Sequence, residues 1–298
     1  MLNNNEGYIR DDNLAMENPK LTVYTPESSL RHPFLMIREM FRDLLAGREL
    51  AWQLAVRDIR AQYRQTALGL FWAFILPLAH TITWIFLNQT GIVVIKNTTL
   101  PYPLYVFTGT MIWAIFIDAV NAPLQQTIAA KQMLTKINFP REAIVVSGIY
   151  QTLFNGFIKI AILFIVLISS DIYPGWNIIW FPFGIMSLIA AGTAFGLLLT
   201  PIGVLYTDVG KSLPLLIQFL MYLTPVVYPM PISGWSVIIF KINPLTSLIL
   251  TTRDWLTGFS PVFLYQYFLV NIMILCLLLS VWVVYRTAMP ILIERMSS

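Results

Sequence analysis

Between Gln65 and Tyr285 lie 221 residues that carry only 13 charged side chains, whereas the 64 residues before them carry 18 and the last 13 residues carry 3. So long a stretch with so little charge does not fold as an ordinary soluble domain, in which about a quarter of the residues are charged. Across the chain, 57% of residues are apolar and 11% charged, the balance of a protein that lives in hydrocarbon. There the backbone must satisfy its own hydrogen bonds, within helices or a closed barrel. The apolar runs are continuous and do not alternate, which selects helices over barrel strands. The expected fold class is an all-α polytopic membrane protein.

A crossing needs about 20 apolar residues, and the sequence offers six candidates: Leu70 to Ile95, Leu104 to Pro123, Ala143 to Ser169, Ile178 to Leu205, Leu213 to Tyr228, and Val262 to Tyr285. The stretch from Met230 to Pro261 is broken by Pro231, Gly234, Pro244 and Gly258, so it reads as short re-entrant helices between spans five and six. Broken backbone at membrane depth survives only where protein or a wet cavity shields it. With the N-terminus inside, the inner segments hold 15 Lys and Arg against three outside, Lys96, Lys241 and Arg253. This asymmetry places both termini in the cytoplasm, and it accounts for the net charge of +4 without nucleic-acid binding.

The domain organisation follows. Residues 1–30, polar and containing Pro19 and Pro26, read as a poorly ordered tail. They lack the apolar core of a signal peptide, so insertion is expected to use the first span. Residues 31–66 read as a cytoplasmic amphipathic interfacial helix: Trp52, Val56, Ile59 and Tyr63 form an apolar stripe, with Arg57, Arg60 and Arg64 beside it. Such a stripe enters the acyl boundary while the arginines stay at the headgroups. Residues 67–298 form the six-helix transmembrane domain.

Catalytic signatures are missing from the sequence. No HExxH or GxSxG motif occurs, and His32 and His80 stand far apart, so no metal ligand and no catalytic residue is assigned. Gly210-Lys211-Ser212 resembles the end of a phosphate-binding loop, but six residues separate Gly203 from Gly210, where that loop requires four. His80 is expected to be a hydrogen-bonded packing residue, and the single Cys276 a buried one. Two charges fall within spans, Asp118 and Lys159. Measured from the predicted span ends they lie at different depths and do not pair, with Lys159 reaching for the outer interface. On span two, Tyr102, Tyr105, Gly109, Trp113 and Phe116 fall within about 80° on a helical wheel. That aromatic stripe is either helix packing or a surface against which sugar rings slide.

Several segments, in order, resemble the membrane subunits of ABC-2 type polysaccharide exporters, the group of O-antigen, capsule and teichoic-acid permeases. Arg57-Asp58 with Tyr63, Thr66, Leu68-Gly69 and Trp72 is similar to that family's RD-x-x-x-x-Y-x-x-T-x-LG-x-x-W pattern. Leu134, Lys136 and Phe139-Pro140-Arg141-Glu142 resemble its L-x-K-x-x-FPRE segment. Further matches are Tyr206-Thr207-Asp208-Val209, with Thr207 where the family often has Arg, then Thr224-Pro225-Val226-Val227-Tyr228-Pro229, and Asn243-Pro244-Leu245 with Arg253.

The resemblance implies a multi-pass permease of the bacterial inner membrane, exporting a lipid-linked polysaccharide, foremost O-antigen. It implies a homodimer with two separate ABC ATPase subunits, which bind the ATP and Mg that this chain does not. On that reading Lys136, Phe139, Pro140, Arg141 and Glu142 couple to the ATPase. Arg57, Arg60 and Arg64 guide the lipid diphosphate, and Tyr102, Tyr105, Trp113, Phe116, Tyr222 and Tyr228 line the glycan channel. Trp235, Asn243, Pro244 and Arg253 form the outer gate. The rivals are capsule or teichoic-acid export within the family, and outside it a secondary transporter or a membrane-embedded glycosyltransferase. A secondary transporter calls for a midplane ion site and internal repeats, and the sequence has neither.

Overall fold

The computed structural model describes residues 33–64, 69–95, 98–134, 136, 139–231 and 233–297; the predicted tail, residues 1–30, lies outside them. By its internal contacts the chain divides into residues 1–39 and residues 40–298, and the packing below belongs to the second unit. Among the described residues every regular element is helical. In order they are α1 (Pro33–Ala46), α2 (Arg48–Arg64), α3 (Trp72–Gln89), α4 (Tyr102–Ala129), α5 (Glu142–Ser169), α6 (Phe181–Leu205), α7 (Thr207–Tyr222), α8 (Ser236–Ile242), α9 (Pro244–Thr257) and α10 (Leu264–Ser297). A single turn, Lys131–Leu134, sits between α4 and α5.

Among the described residues four helical stretches are long and apolar enough to cross a membrane: Tyr102–Ala129, Glu142–Ser169, Trp176–Leu205 and Leu264–Arg295. The first and fifth predicted spans are also helices, α3 with 18 residues and α7 with 16, but they fall short of that standard. Helix α7 also starts and stops earlier than the predicted Leu213 to Tyr228, because Leu223 to Tyr228 turns away from it. Gly210-Lys211-Ser212 therefore lies inside a helix, where its backbone amides cannot cradle a phosphate. The predicted interfacial segment is two helices, separated at Gly47 by a turn that keeps the helical bonds Gly47 N–H to Asp43 O and Ala51 N–H to Gly47 O.

Helix α4 is the centre. Leu104 to Phe116 is buried without a break, and 83% of its span window is covered, so a helix that is apolar all round is enclosed all round. Pro123, the predicted end of this span, does not end the helix: it runs to Ala129, and the Thr127 hydroxyl donates to the Pro123 carbonyl at 2.7 Å. Helix α6 meets α4 through glycine. A Cβ on Gly192 would lie 2.5 Å from the Ala119 Cβ, and one on Gly196 2.3 Å from the Val120 carbonyl oxygen. Small residues let two backbones approach in this way when lipid supplies no hydrophobic drive.

At one end of the bundle Arg286 of α10 donates to Glu142 of α5 at 2.7 Å and to Asp43 of α1 at 2.8 Å, joining three helices by one guanidinium. At the other end α9 is capped by Asn243, whose Oδ1 accepts from the Leu245 N–H at 3.0 Å. It closes at Gly258, whose φ of 81° suits a glycine after a helix C-terminus. Cys276, expected to be buried, is exposed: α10 presents that face outward, where an apolar thiol is at home in lipid.

The α4–α6 seam generates a test. Gly196→Ala forces a backbone carbonyl to move and is expected to cost about 1–3 kcal/mol, the usual range for overpacking. Gly175→Ala, with nothing within 4 Å of the added Cβ, should be neutral. Thermal unfolding of the purified variants decides it, and equal melting temperatures would refute the close seam.

Candidate functional site

A cavity of about 350 Å³ opens between α3, α4, α5 and α7, with Gln62 from the end of α2 at its edge. Its position follows from the packing. The Thr81 and Thr110 hydroxyls pin α3 to α4 at 2.9 Å, and buried Leu213, Ile217 and Met221 seat α7 on the core. Trp84 of α3 and Tyr222 of α7 meet at 6.4 Å between ring centroids, beyond the cavity's described lining.

The floor of the cavity holds Asp118 and Lys159, which form an ion pair. This corrects the expectation that they lie at different depths. Helix α4 continues past Pro123, so Asp118 is about 16 Å from its end at 1.5 Å per residue, not close to it. The antiparallel register does the rest. Gln126 of α4 donates to Gln151 of α5, and eight residues back on one helix and eight forward on the other are Asp118 and Lys159. Lys159 is 3% exposed and Asp118 28%, so the lysine is sealed in and the carboxylate faces the opening.

A polar ladder leads from this pair to α2. Ser147 donates to Gln126 at 3.4 Å, Gln151 donates to Gln62 at 3.1 Å, and the Tyr63 hydroxyl donates to Asn155 at 2.8 Å. Burial, with the Asp118 charge adding to it, raises the Tyr63 phenol above its ordinary 10.0, so Tyr63 stays a neutral donor. The rungs on α5 are Ser147, Gln151, Asn155 and Lys159, every fourth residue. That spacing puts them along one side of a helix and was the signal by which the sequence could have revealed the site. Of the predicted site residues, only Trp113 lines this cavity. His80, expected to be packed and hydrogen-bonded, is exposed and lines it too.

Helix α2 buries Ala51, Leu54 and Ala55 against α5, with Trp52 edge-on to Tyr150 at 5.8 Å. Trp52 is nonetheless 59% exposed, so the close packing is made by the small residues more than by the predicted stripe. Arg57, Arg60 and Arg64 are exposed and line an open groove of about 580 Å³ with Trp52 and Val56, and Arg57 also pairs with Asp58 at 2.7 Å.

The aromatic stripe of α4 resolves toward packing. Tyr105, Trp113 and Phe116 are 3%, 2% and 1% exposed, so their ring faces are covered by the chain's own helices and do not form a continuous sliding surface. Instead the stripe docks the segment after α7. The Arg253 guanidinium lies 4.0 Å over the Tyr105 ring, a cation–π contact. It donates to the carbonyls of Pro225 and Val226, while the Tyr105 hydroxyl donates to the Tyr228 carbonyl at 3.2 Å. Gly109 makes the room: a Cβ there would sit 2.1 Å from the Val226 oxygen and 2.2 Å from Arg253 Nη2. Tyr102 and Tyr228 are half-buried and Tyr222 is exposed. Asn243 and half-buried Pro244 join this latch, Asn243 donating to the Leu223 carbonyl at 2.8 Å and to the Thr224 hydroxyl at 2.9 Å. Trp235 stands apart, 77% exposed.

In the loop before α5, Lys136 is exposed, Phe139 is half-buried against a cluster that includes Leu134, Ile144 and Tyr285, and Pro140 and Arg141 are half-buried. Thr135, Ile137 and Asn138 lie outside the described residues. Glu142, expected to face a partner, is 5% exposed and engaged by Arg286. It anchors the loop, because a buried carboxylate needs its cation more than a contact surface. Among the described residues no three His, Cys, Asp or Glu cluster as metal ligands.

Comparison with known proteins places this geometry. Residues 49–254, α2 through most of α9, match the family model described as ABC-2 type transporter. The chain is 26% identical over 216 residues to the "O-antigen export system permease protein RfbA" of Myxococcus xanthus, covering 72% of this chain and 82% of that protein. It is 26% identical over 208 residues to the protein of the same name from Klebsiella pneumoniae, 66% and 76% of the two chains. To the "Polysialic acid transport protein KpsM" of Escherichia coli it is 25% identical over 211 residues, 67% and 78% of the two chains.

The ion pair is testable by a double-substitution cycle. Lys159→Met alone leaves the Asp118 carboxylate at the cavity without its cation; losing one partner of a fully buried pair typically costs about 3–5 kcal/mol, and the partial exposure of Asp118 puts the expected loss below that range. Adding Asp118→Asn should restore much of the lost thermal stability. Additive losses would mean that the two side chains do not interact.

Proposed function

The chain belongs to the ABC-2 type transporter family, and from that premise we propose that it is the membrane permease of an ATP-driven exporter of a lipid-linked polysaccharide, with O-antigen the leading cargo. The observation that carries the reading is the extent of the match to named O-antigen permeases, across 72% and 66% of this chain and more than three quarters of each relative. The polysialic acid transporter aligns as well, so capsule is the second cargo.

On this reading six helices cross the bacterial inner membrane, α3 and α7 joining the four longer ones, with both termini in the cytoplasm and α8 and α9 dipping back from the outer side. Two copies of the chain form the path, and two ATPase subunits supply ATP hydrolysis with Mg. Arg57, Arg60 and Arg64 are exposed on one groove, a fitting place for lipid diphosphate at the inner leaflet, since guanidinium pairs well with phosphate. Lys136, Phe139, Pro140 and Arg141 receive the ATPase, while buried Glu142 transmits the push through Arg286 into α10. The outer closure is the Arg253 and Asn243 latch, and the exposed Tyr222 and Trp235 are the aromatic surfaces left for glycan.

Deleting the gene should abolish surface polysaccharide and leave lipid-linked glycan inside the cell; unchanged surface glycan would remove the reading. A chain carrying Phe139→Ala with Arg141→Ala should reach the membrane in normal amount yet export about tenfold less, the result of losing an interface anchor worth about 1.4 kcal/mol or more. Immunoblots of membrane and surface fractions provide both numbers, and undiminished export would dissociate the loop from the ATPase.

A further inference from the structure

The cavity holding Asp118 and Lys159 has chemistry that mere passage of a polymer does not require. We infer that it is a recognition subsite for one uncharged, hydroxyl-rich ring, a hexose or N-acetylhexosamine; that such a ring belongs to the exported cargo rests on the exporter reading above.

Charge is the first argument. Asp118 and Lys159 neutralise one another, and Arg57, Arg60 and Arg64 line a different groove. An anion entering the cavity meets the Asp118 carboxylate on its open side, and a cation meets a carboxylate already committed to Lys159. Neither sign gains from the site, and a neutral ligand loses nothing.

The hydrogen-bond inventory is the second. Four polar side chains at the cavity, Gln62, Asn155, Asn121 and Asp118, are each held on one side and left with capacity on the other. Asn155 Oδ1 accepts from Tyr63 and Gln62 Oε1 accepts from Gln151, which leaves their NH₂ groups to donate. Asn121 Nδ2 donates to the Ile117 carbonyl and Asp118 Oδ2 accepts from Lys159, which leaves Asn121 Oδ1 and Asp118 Oδ1 to accept. Donors and acceptors are therefore interleaved. A phosphate diester only accepts and a primary ammonium only donates, whereas every hydroxyl does both, so a polyol matches the whole set where neither ion does.

The walls complete the fit. Trp72, 52% exposed, supplies aromatic surface for the C–H faces of a ring, and about 350 Å³ lies in the range of small-ligand sites, about 300–1,000 Å³. The polar groups are prepositioned by the ladder through Tyr63 and Gln151, so little ordering is needed on binding.

The test uses the full chain in nanodiscs of phosphatidylethanolamine and phosphatidylglycerol, observed by saturation-transfer NMR. Glucose, galactose, mannose and N-acetylglucosamine are the neutral probes; inorganic phosphate and tetramethylammonium are the charged ones. At least one sugar should show transfer that neither ion displaces. Asn155→Leu should weaken its binding about tenfold or more, as sites built to hydrogen-bond a ligand lose it when a partner goes. Asn121→Ala, whose one hydrogen bond is to its own helix, tests the same point without disturbing the ladder. No sugar binding, binding unchanged in Asn121→Ala, or displacement by phosphate would each overturn the subsite. Sugar binding in a chain whose deletion leaves surface glycan unchanged would keep the subsite and remove the exporter reading, and normal export without sugar binding would do the reverse.

Discussion

The enclosure of α4 is the constraint on which the rest of the bundle depends. A helix with Leu104 to Phe116 buried in unbroken sequence must be covered from every direction, and each neighbour pays for its place differently. Helix α6 comes close through Gly192 and Gly196, α3 attaches by the Thr81 to Thr110 hydroxyl contact, and α9 reaches across with Arg253 into the gap left by Gly109. Because hydrocarbon offers these helices no hydrophobic reason to associate, shape and hydrogen bonds decide their arrangement. The single carboxylate of α4, Asp118, is thus carried on a tightly packed helix and opens on its one free side to the cavity.

Two buried cations are accommodated by opposite means. Arg253, 1% exposed, relies on an aromatic face and on carbonyl oxygens freed where the chain leaves α7, which suits a guanidinium with several donors in a fixed plane. Lys159 is a compact charge and takes a carboxylate. The first arrangement ties backbone to side chain and behaves as a latch. The second keeps one carboxylate oxygen turned to a cavity, and a charge retained inside a membrane helix at the cost of desolvation is a functional group by default.

Much of this fold was legible in the sequence, and the reasons for the rest are physical. Continuous apolar runs revealed the long helices, and the prolines and glycines of Met230 to Pro261 revealed the short ones. A proline is a poor marker of a span's end, since transmembrane helices tolerate it in their interior, and Pro123 sits inside α4, which runs on to Ala129. The depth of Asp118 was wrong for the same reason, and the ion pair was lost with it. The aromatic periodicity of Tyr102 to Phe116 was read correctly as one stripe, but periodicity does not say whether a face meets a helix or a ligand. Glu142 was placed in the right loop and turned the wrong way, since its partner Arg286 is 144 residues distant and no local pattern announces it. The Ser147, Gln151, Asn155, Lys159 series was visible all along and outweighed by the hydropathy of the span around it.

That series gives α5 its place in any working cycle. Its first residue, Glu142, is fastened to α10 and α1 through Arg286, immediately after the loop that ends at Arg141. Its polar side is fastened to α2 at Gln151 and Asn155 and to α4 at Lys159. A helix transmits a displacement along its axis over many turns, and Glu142 to Lys159 is about 25 Å at 1.5 Å per residue. On the exporter reading, force applied at the loop therefore reaches the arginine groove and the cavity floor through one rigid element. Either the rungs slide together, carrying Asp118 with them, or the ladder breaks and leaves the buried Gln126 amide and the half-buried Gln151 and Asn155 without partners, which is the costlier course. The geometry favours the first, so the cavity would change shape whenever the loop moves.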